Sequence, residues 1–568
     1  MNMSRMNRRD MLRMIAGGVG MVAFGLTSSN CADIPHGSAK KTAKRPNIVL
    51  ILADDLGYSD IGCFGGEIAT PNLDSMAKEG IRFTQFYNCA RCCPSRASLL
   101  TGLYPHQTGL GFMAGVEFEH GMTGEGFEHG TPGYLGYLNR NCVTLAEALK
   151  PVGYHTLMVG KWHVGAREGM LPVDRGFDEY YGILQGASNY FRVDELAMLR
   201  RNRETVESKG EKYYTTDAFT DYAVKFIDEY AHKDDNPYFL YAAYTAPHWP
   251  LHAFPEDIVE YKGKYMVGWD EVRRRRFDRQ KELGLITPDA VLTQRDLGVE
   301  PWDSITAKEE WDLRMAVYAA MVDRMDQNIG RILDAIKRSR EEENTIVMFL
   351  SDNGACPEPV ERTPGISPGP AESFSGYLLP WANASNTPFR KYKHWVHEGG
   401  IATPFIVKWP AVIRNTGAIT SQVGHVIDVM ATYLNVAGAD YPKTYNGNDI
   451  FPLEGKSLLP IFEGKTRAGH GALFWEHEGN RAVRQGRWKL VSKYSDMGIH
   501  FGNDVTRYPN DWELYDMEAD RLEMNNLAAK YPRRVQAMGE MYDRWAKRCF
   551  VEPWELLYTE WLKRHRAR

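Results

Sequence analysis

Short runs that are apolar at every position recur along this chain, separated by amphipathic or polar stretches. Asn47–Ala53 is the first, and similar runs lie at residues 155–159, 238–244, 345–351 and 404–409. A run without polar alternation predicts a strand covered on both faces. Residues 311–337 instead carry Met315, Val322, Met325, Ile329, Ile332 and Ile336 along one stripe, which predicts a helix. Strands alternating with helices predict an α/β fold, with a large, mostly parallel sheet and helices on both faces.

The pattern changes after about residue 440. Residues 472–476 and 481–494 read as antiparallel strands with Gln485-Gly486 as a turn. Pro532 opens a helix that places Val535, Met538, Tyr542 and Trp545 on one face. A smaller α+β subdomain over 441–568, containing an antiparallel sheet, is therefore expected beside a catalytic domain over 45–440. Residues 194–310 look charged and irregular, and Arg273 to Arg276 among them read as a solvated helix face. Residues 356–386, rich in Pro, Gly and Ser, read as a long loop over the site.

The N-terminus has a different character. Arg8-Arg9 precede an uncharged, glycine-rich run over residues 14–26, too short to span a bilayer. Residues 1–34 are read as an export signal of twin-arginine type. A periplasmic or extracellular protein with no stable membrane span is expected. Cys31 is a lipid-attachment alternative, disfavoured by the Asn30 before it.

Composition narrows the function classes. The 568 residues exceed one simple core, and 43% hydrophobic with 25% charged residues is ordinary for a globular protein. A net charge of −5 gives no reason to expect nucleic-acid binding. Eight cysteines in such a length make no disulfide framework, and their crowding between Cys63 and Cys93 points to a site.

Polar residues cluster where the apolar runs end. Asp54-Asp55 follow the first run, Asp352-Asn353 the 345–351 run, Lys161-Trp162-His163 the 155–159 run, and His248 the 238–244 run. Ligand sites in α/β sheets lie outside the carboxyl ends of the strands, so these groups share one expected rim. Asp54, Asp55, Asp352 and Asn353 offer only oxygen, which suits calcium, or else magnesium, rather than zinc. Packed carboxylates repel, and a bound cation relieves that cost.

Residues 92–102 read Cys-Cys-Pro-Ser-Arg-Ala-Ser-Leu-Leu-Thr-Gly. Taken alone, Cys92-Cys93 also allows a buried apolar pair, a redox pair or part of a metal site. As a whole the run resembles the type I sulfatase signature Cys-x-Pro-Ser-Arg-x-x-x-Leu-Thr-Gly, with Leu103 where many members carry arginine. Further likenesses to bacterial arylsulfatases are Gly-Trp-Asp at 268–270, Gly-Lys-Trp-His at 160–163, Ala-Pro-His-Trp-Pro at 246–250, Tyr-Lys-His-Trp-Val-His-Glu-Gly-Gly at 392–400 and Trp-Glu-His-Glu-Gly-Asn at 475–480. Val164 departs from the leucine usual after the histidine.

The resemblance implies an alkaline-phosphatase-like fold and a sulfuric ester hydrolase of arylsulfatase type. It further implies that a formylglycine-generating enzyme oxidises Cys92 to formylglycine, whose hydrate attacks sulfur. Asp54, Asp55, Asp352, Asn353 and residue 92 would then hold the calcium. Arg96 and Lys161 would hold sulfate oxygens, His248 and Lys393 would serve the departing alcohol, and His163 would take the last proton. Lys393 is chosen over Lys391 because it stands five residues before Glu398. His394 and His397 are left to packing or hydrogen bonding. The substrate is expected to be a sulfated small molecule or carbohydrate. Hydrolysis of phosphonate or phosphate monoesters is the alternative within the superfamily, and a carbohydrate sulfatase the alternative among sulfatases.

Overall fold

The computed structural model describes residues 44–114, 131–210, 212–496, 508–557 and 559. Residues 1–34, which the sequence reads as an export signal, with Arg8, Arg9 and Cys31, lie outside them. Residues from Arg45 onward form one compact unit.

Eleven strands build one large sheet: β1 (Asn47–Ala53), β2 (Ile81–Tyr87), β3 (His155–Gly160), β4 (Glu179–Ile183), β5 (Leu199–Arg201), β6 (Glu204–Thr205), β7 (Tyr238–Ala243), β8 (Thr345–Ser351), β9 (Ala402–Lys408), β10 (Ala418–Thr420) and β11 (Gly424–His425). The spatial order is β10-β2-β9-β8-β1-β7-β3-β4-β5-β6, with β11 also beside β2. The block β8-β1-β7-β3-β4 is parallel throughout, which the buried apolar runs predict. β9 breaks the pattern by running antiparallel to both β8 and β2. Every residue of β1, β7, β8 and β9 is buried.

The predicted stripe becomes the 31-residue helix Lys308–Arg338. Its Asp326 carboxylate accepts from the Asn72 and Leu73 N–H groups (3.0 and 2.8 Å), capping the helix Pro71–Glu79 from outside. Among the described residues, no helix is long and apolar enough to cross a membrane.

The middle section is more regular than its sequence suggests, carrying the helices Thr215–Tyr230 and Trp269–Glu282 as well as β7. The second helix is hidden from a periodicity argument because arginines occupy its inner face. Arg274 and Arg275 meet Glu271 at the surface, as a solvated face requires. Arg276 is buried and pairs with Asp60 (2.6 Å) and Glu67 (2.8 Å), while Arg273 donates to the Thr293 carbonyl (2.8 Å). Residues 356–386 are mostly loop but include the helix Leu378–Ser385.

The C-terminal region is a four-stranded antiparallel meander of Leu473–His477, Asn480–Gln485, Trp488–Ser492 and Trp512–Asp516. Gln485 pairs with Trp488, so the turn is Gly486-Arg487, one residue later than expected. The helix Pro532–Arg548 begins at its proline and buries Met538, Tyr542 and Trp545, while Val535 is only partly buried.

Candidate functional site

Because β8, β1, β7 and β3 are neighbours in the sheet, their carboxyl ends deliver Asp352, Asp54, His248 and Lys161 to one rim. The helix Cys92–Thr101 follows β2 and is buried along all its ten residues. Cys92 is its first residue, at the end where N–H groups lack intrahelical partners and the macrodipole is positive. Gly102, at φ 71°, ends the helix in the left-handed region where glycine is favoured.

Each carboxylate on the rim faces a cation of the protein itself. Lys161 Nζ stands 2.5 Å from Asp54 Oδ2. Arg96 donates through Nε to Asp352 Oδ2 (2.9 Å) and through Nη1 to the Lys161 carbonyl (3.0 Å), and its Nη2 lies 2.8 Å from the same Asp352 oxygen as an ion pair. Lys393 Nζ lies 2.8 Å from Asp55 Oδ1. His248 donates from Nδ1 to its neighbour's carbonyl, Trp249 O (2.7 Å), which aims Nε2 toward Asp55 Oδ2 at 3.4 Å. These protein cations relieve part of the repulsion that the sequence argument assigned to a metal alone.

The remaining imbalance is local. Burial would raise the Asp54 carboxyl, but Lys161, His248 and Arg96 outweigh it and hold it below the usual range. Asp352, also fully buried, is pushed well above that range by burial and then by the Asp54 charge. Two carboxylates forced apart in this way have room for one more positive charge. Asp54 Oδ1 and Asn353 Oδ1 are also buried without a hydrogen-bond partner, while Asn353 Nδ2 donates to Asp55 Oδ1 (2.7 Å). An all-oxygen set with orphaned oxygens fits a hard divalent cation.

Cys92 faces different neighbours. A hydrogen bond from Cys93 lowers its thiol, burial opposes, and Lys161 and His163 add to the lowering, leaving it well below its usual range. The Cys92 and Cys93 sulfurs and a His163 ring nitrogen lie within 4.8 Å of one another. Burial, the main cause, lowers His163 to about 4, so its ring is neutral at physiological pH. Gly186 makes room for that ring, since a Cβ there would stand 2.6 Å from His163 Cε1. The seven described cysteines are all free thiols, so Cys92 and Cys93 form no disulfide.

Cys92, Arg96, Lys161, His163, His248, Lys393, Asp54, Asp55, Asp352 and Asn353 are thus all buried in one region. Sequence reasoning missed Glu358, which meets Arg91 (2.9 Å), Lys393 (3.4 Å) and the Trp249 indole (2.5 Å). Burial would raise its carboxyl, but Lys393, Arg91 and His248 hold it well below its ordinary value. Cys356, 3.6 Å from Lys393 Nζ, was missed as well. The usable signal was the position of both residues in the loop directly after Asp352-Asn353. His397 faces Glu513 instead (3.4 Å), in keeping with a packing role. An open cleft of 1390 Å³ lies elsewhere, between residues 284–291 and the C-terminal sheet, and none of these site residues lines it.

Residues 46–439 match the family profile described as Sulfatase, and residues 389–546 match N-sulphoglucosamine sulphohydrolase, C-terminal. An uncharacterized sulfatase of Schizosaccharomyces pombe is 35% identical over 89% of this chain and 93% of its own length. An arylsulfatase of Klebsiella aerogenes is 36% identical over 76% of this chain and 95% of its own. Among solved structures, Ps i-CgsB in complex with k-i-k-neocarrahexaose has a TM-score of 0.64 at 25% identity, covering 92% of this chain and 98% of that one.

Proposed function

The chain belongs to the sulfatase family, and from that premise we propose that it hydrolyses sulfate monoesters of arylsulfatase type at the site around residue 92. The observation that carries this reading is the convergence of three buried carboxylates and three buried cations beside a cysteine at a helix N-terminus. Asp54, Asp55, Asp352, Asn353 and residue 92 would hold a divalent cation, calcium by the oxygen character of the set. With Cys92 oxidised to formylglycine by a formylglycine-generating enzyme, the aldehyde hydrate would supply the attacking oxygen, and a cation held there would supply polarising charge.

The chain's own residues do the rest. Lys161 presents fixed positive charge to the sulfate oxygens, where a desolvated charge counts most. Arg96, bonded to Asp352 and the Lys161 carbonyl, holds these two in register. Asp352, with its raised carboxyl, accepts the proton of the attacking hydroxyl. His248 and Lys393 stand together on Asp55 and give a proton, or positive charge, to the departing alcohol oxygen. His163, neutral at physiological pH, then takes the remaining hydroxyl proton at residue 92, so that the carbon–oxygen bond to the sulfated oxygen breaks, sulfate leaves and the aldehyde is restored.

The Klebsiella relative supports aryl esters, and the likeness to Ps i-CgsB with its bound neocarrahexaose supports a second reading, a carbohydrate sulfate ester. Export to the periplasm or beyond through residues 1–34 belongs to the same proposal. The test is a panel of aryl sulfates, sulfated sugars and aryl phosphates, assayed with protein whose residue 92 is shown by peptide mass spectrometry to be formylglycine. Sulfate esters should turn over well ahead of phosphates of the same alcohol. Faster phosphate hydrolysis, or full activity with an unmodified Cys92, would overturn the reading.

A further inference from the structure

His394 and the Glu-His-Glu-Gly-Asn run at 476–480 have no task in the chemistry above, yet the fold brings them together. His394 follows Lys393 directly and donates its backbone N–H to Ala90 O (2.8 Å), two residues before Cys92. His477 and Glu478 sit at the tip of the first C-terminal hairpin, where His477 pairs with Asn480 across the turn. Residues 83 positions apart thereby meet, and all three side chains are almost wholly inaccessible: His394 0%, His477 0% and Glu478 1% exposed.

Their geometry is that of a ligand set. One ligand atom from each residue lies within 4.8 Å of the others. Glu478 Oε2 is 3.4 Å from His394 Nδ1, and Glu478 Oε1 is 3.2 Å from His477 Nε2. A tetrahedral ion with bonds of about 2.1 Å sets its ligands ~3.4 Å apart. Both separations are long for hydrogen bonds of an ionised carboxylate, which run about 2.7–2.9 Å.

The tautomers argue in the same direction. His394 Nε2 lies 2.8 Å from the Ser495 carbonyl, which can only accept, so Nε2 carries the hydrogen. Nδ1 is then the ring atom that faces the Glu478 carboxylate. Binding the second ring nitrogen to a backbone carbonyl is how a metal-ligating histidine is usually oriented. His394 Nδ1 and both ring nitrogens of His477 lack hydrogen-bond partners although the rings are buried.

We propose that His394, His477 and Glu478 form a second metal site, separate from the aspartate rim, that takes a borderline cation of the zinc class through two imidazoles and one carboxylate. Nitrogen-rich sets select such ions, whereas the aspartate rim selects hard ones. The ion ties the hairpin tip to the segment carrying Lys393. It thereby fixes one wall of the catalytic region from the C-terminal sheet.

The experiment equilibrates the full chain with Zn²⁺ and Ca²⁺, removes loose metal by gel filtration and measures both elements by mass spectrometry. Wild-type protein should retain about one zinc per chain, as a buried three-ligand site would. His477→Gln and Glu478→Gln should lose it and keep calcium, while Asp352→Ala keeps zinc. Co²⁺ in place of Zn²⁺ should give wild-type protein a visible ligand-field band that His477→Gln lacks. If His477→Gln fails to fold, Glu478→Gln supplies the same comparison, and an unchanged band in it would count against the site. No retained zinc in wild type, wild-type zinc in His477→Gln and Glu478→Gln, or loss of zinc only in Asp352→Ala would overturn the proposal.

Discussion

Two buried charge networks share the segment 391–400 and use the same residue types to opposite ends. Around Glu398 each carboxylate oxygen has a cation or a donor beside it: Oε1 meets Lys489 Nζ (2.9 Å), Oε2 accepts from the Tyr87 hydroxyl (3.0 Å), Glu523 Oε1 faces Lys489 by charge alone (2.7 Å), and Glu523 Oε2 accepts from the Glu398 N–H (2.9 Å). Around Asp54 the network is open, with Asp54 Oδ1 and Asn353 Oδ1 unpartnered and Asp352 pushed well up by burial and the Asp54 charge. A closed network holds one geometry, whereas an open one has binding capacity left over. Glycine locks the two together. A Cβ on Gly400 would stand 1.7 Å from the Trp395 carbonyl oxygen and one on Gly399 2.1 Å from that of Lys391, so the Glu-Gly-Gly turn is a packing requirement that sets where Lys393 lies.

The comparison is sharpest where chemistry and stability separate. Cys92→Ala should lose turnover entirely while thermal unfolding shifts little, because it deletes the nucleophile and almost no volume. Asp352→Ala should lose bound calcium and activity together, and Lys489→Met should keep both per folded molecule. Metal retention measured side by side in the two variants would erase the distinction if it came out equal.

His248→Ala and Lys393→Ala should each lower turnover by about 10²–10⁴-fold for poor leaving groups and much less for acidic aryl alcohols. Equal losses across a series of leaving groups would remove both from the alcohol side. Lys489→Met, which strands two buried carboxylates, should cost about 3–5 kcal/mol of stability, read from denaturant unfolding.

The smallest expected effect is in acid. Burial would raise the Glu398 carboxyl, but Lys489 and Arg521 hold it below its ordinary value. Its contribution to stability is therefore full above the unfolded value of about 4.3 and is lost as pH falls through the folded value. The acid limb of stability against pH should be shallower in Lys489→Met than in wild type. An unchanged limb would mean that Glu398 does not depend on that lysine.

Some elements were legible along the chain because their signal is local. β1 and β8 coincide with their apolar runs, and the Pro532–Arg548 helix begins at its proline. The helix Trp269–Glu282 was not, because Arg273 and Arg276 stand where a periodicity argument looks for apolar side chains, and their partners are remote. Asp60 lies 216 positions from Arg276, so nothing near the arginines marks them as buried.

For the site, the order of residues along the chain determined the kind of chemistry: oxygen ligands and cations placed directly after apolar runs, and a cysteine at the head of the Cys-Cys-Pro-Ser-Arg run. Those are statements about neighbours in sequence, which backbone geometry converts into position without further information. Only the tertiary structure decided that Arg96 spends its donors on Asp352, 256 positions away, that Glu358 braces Arg91 and Lys393, and that His394 meets His477 and Glu478. Such contacts depend on how distant segments pack, and close packing of buried charges leaves no trace in the local pattern of either segment.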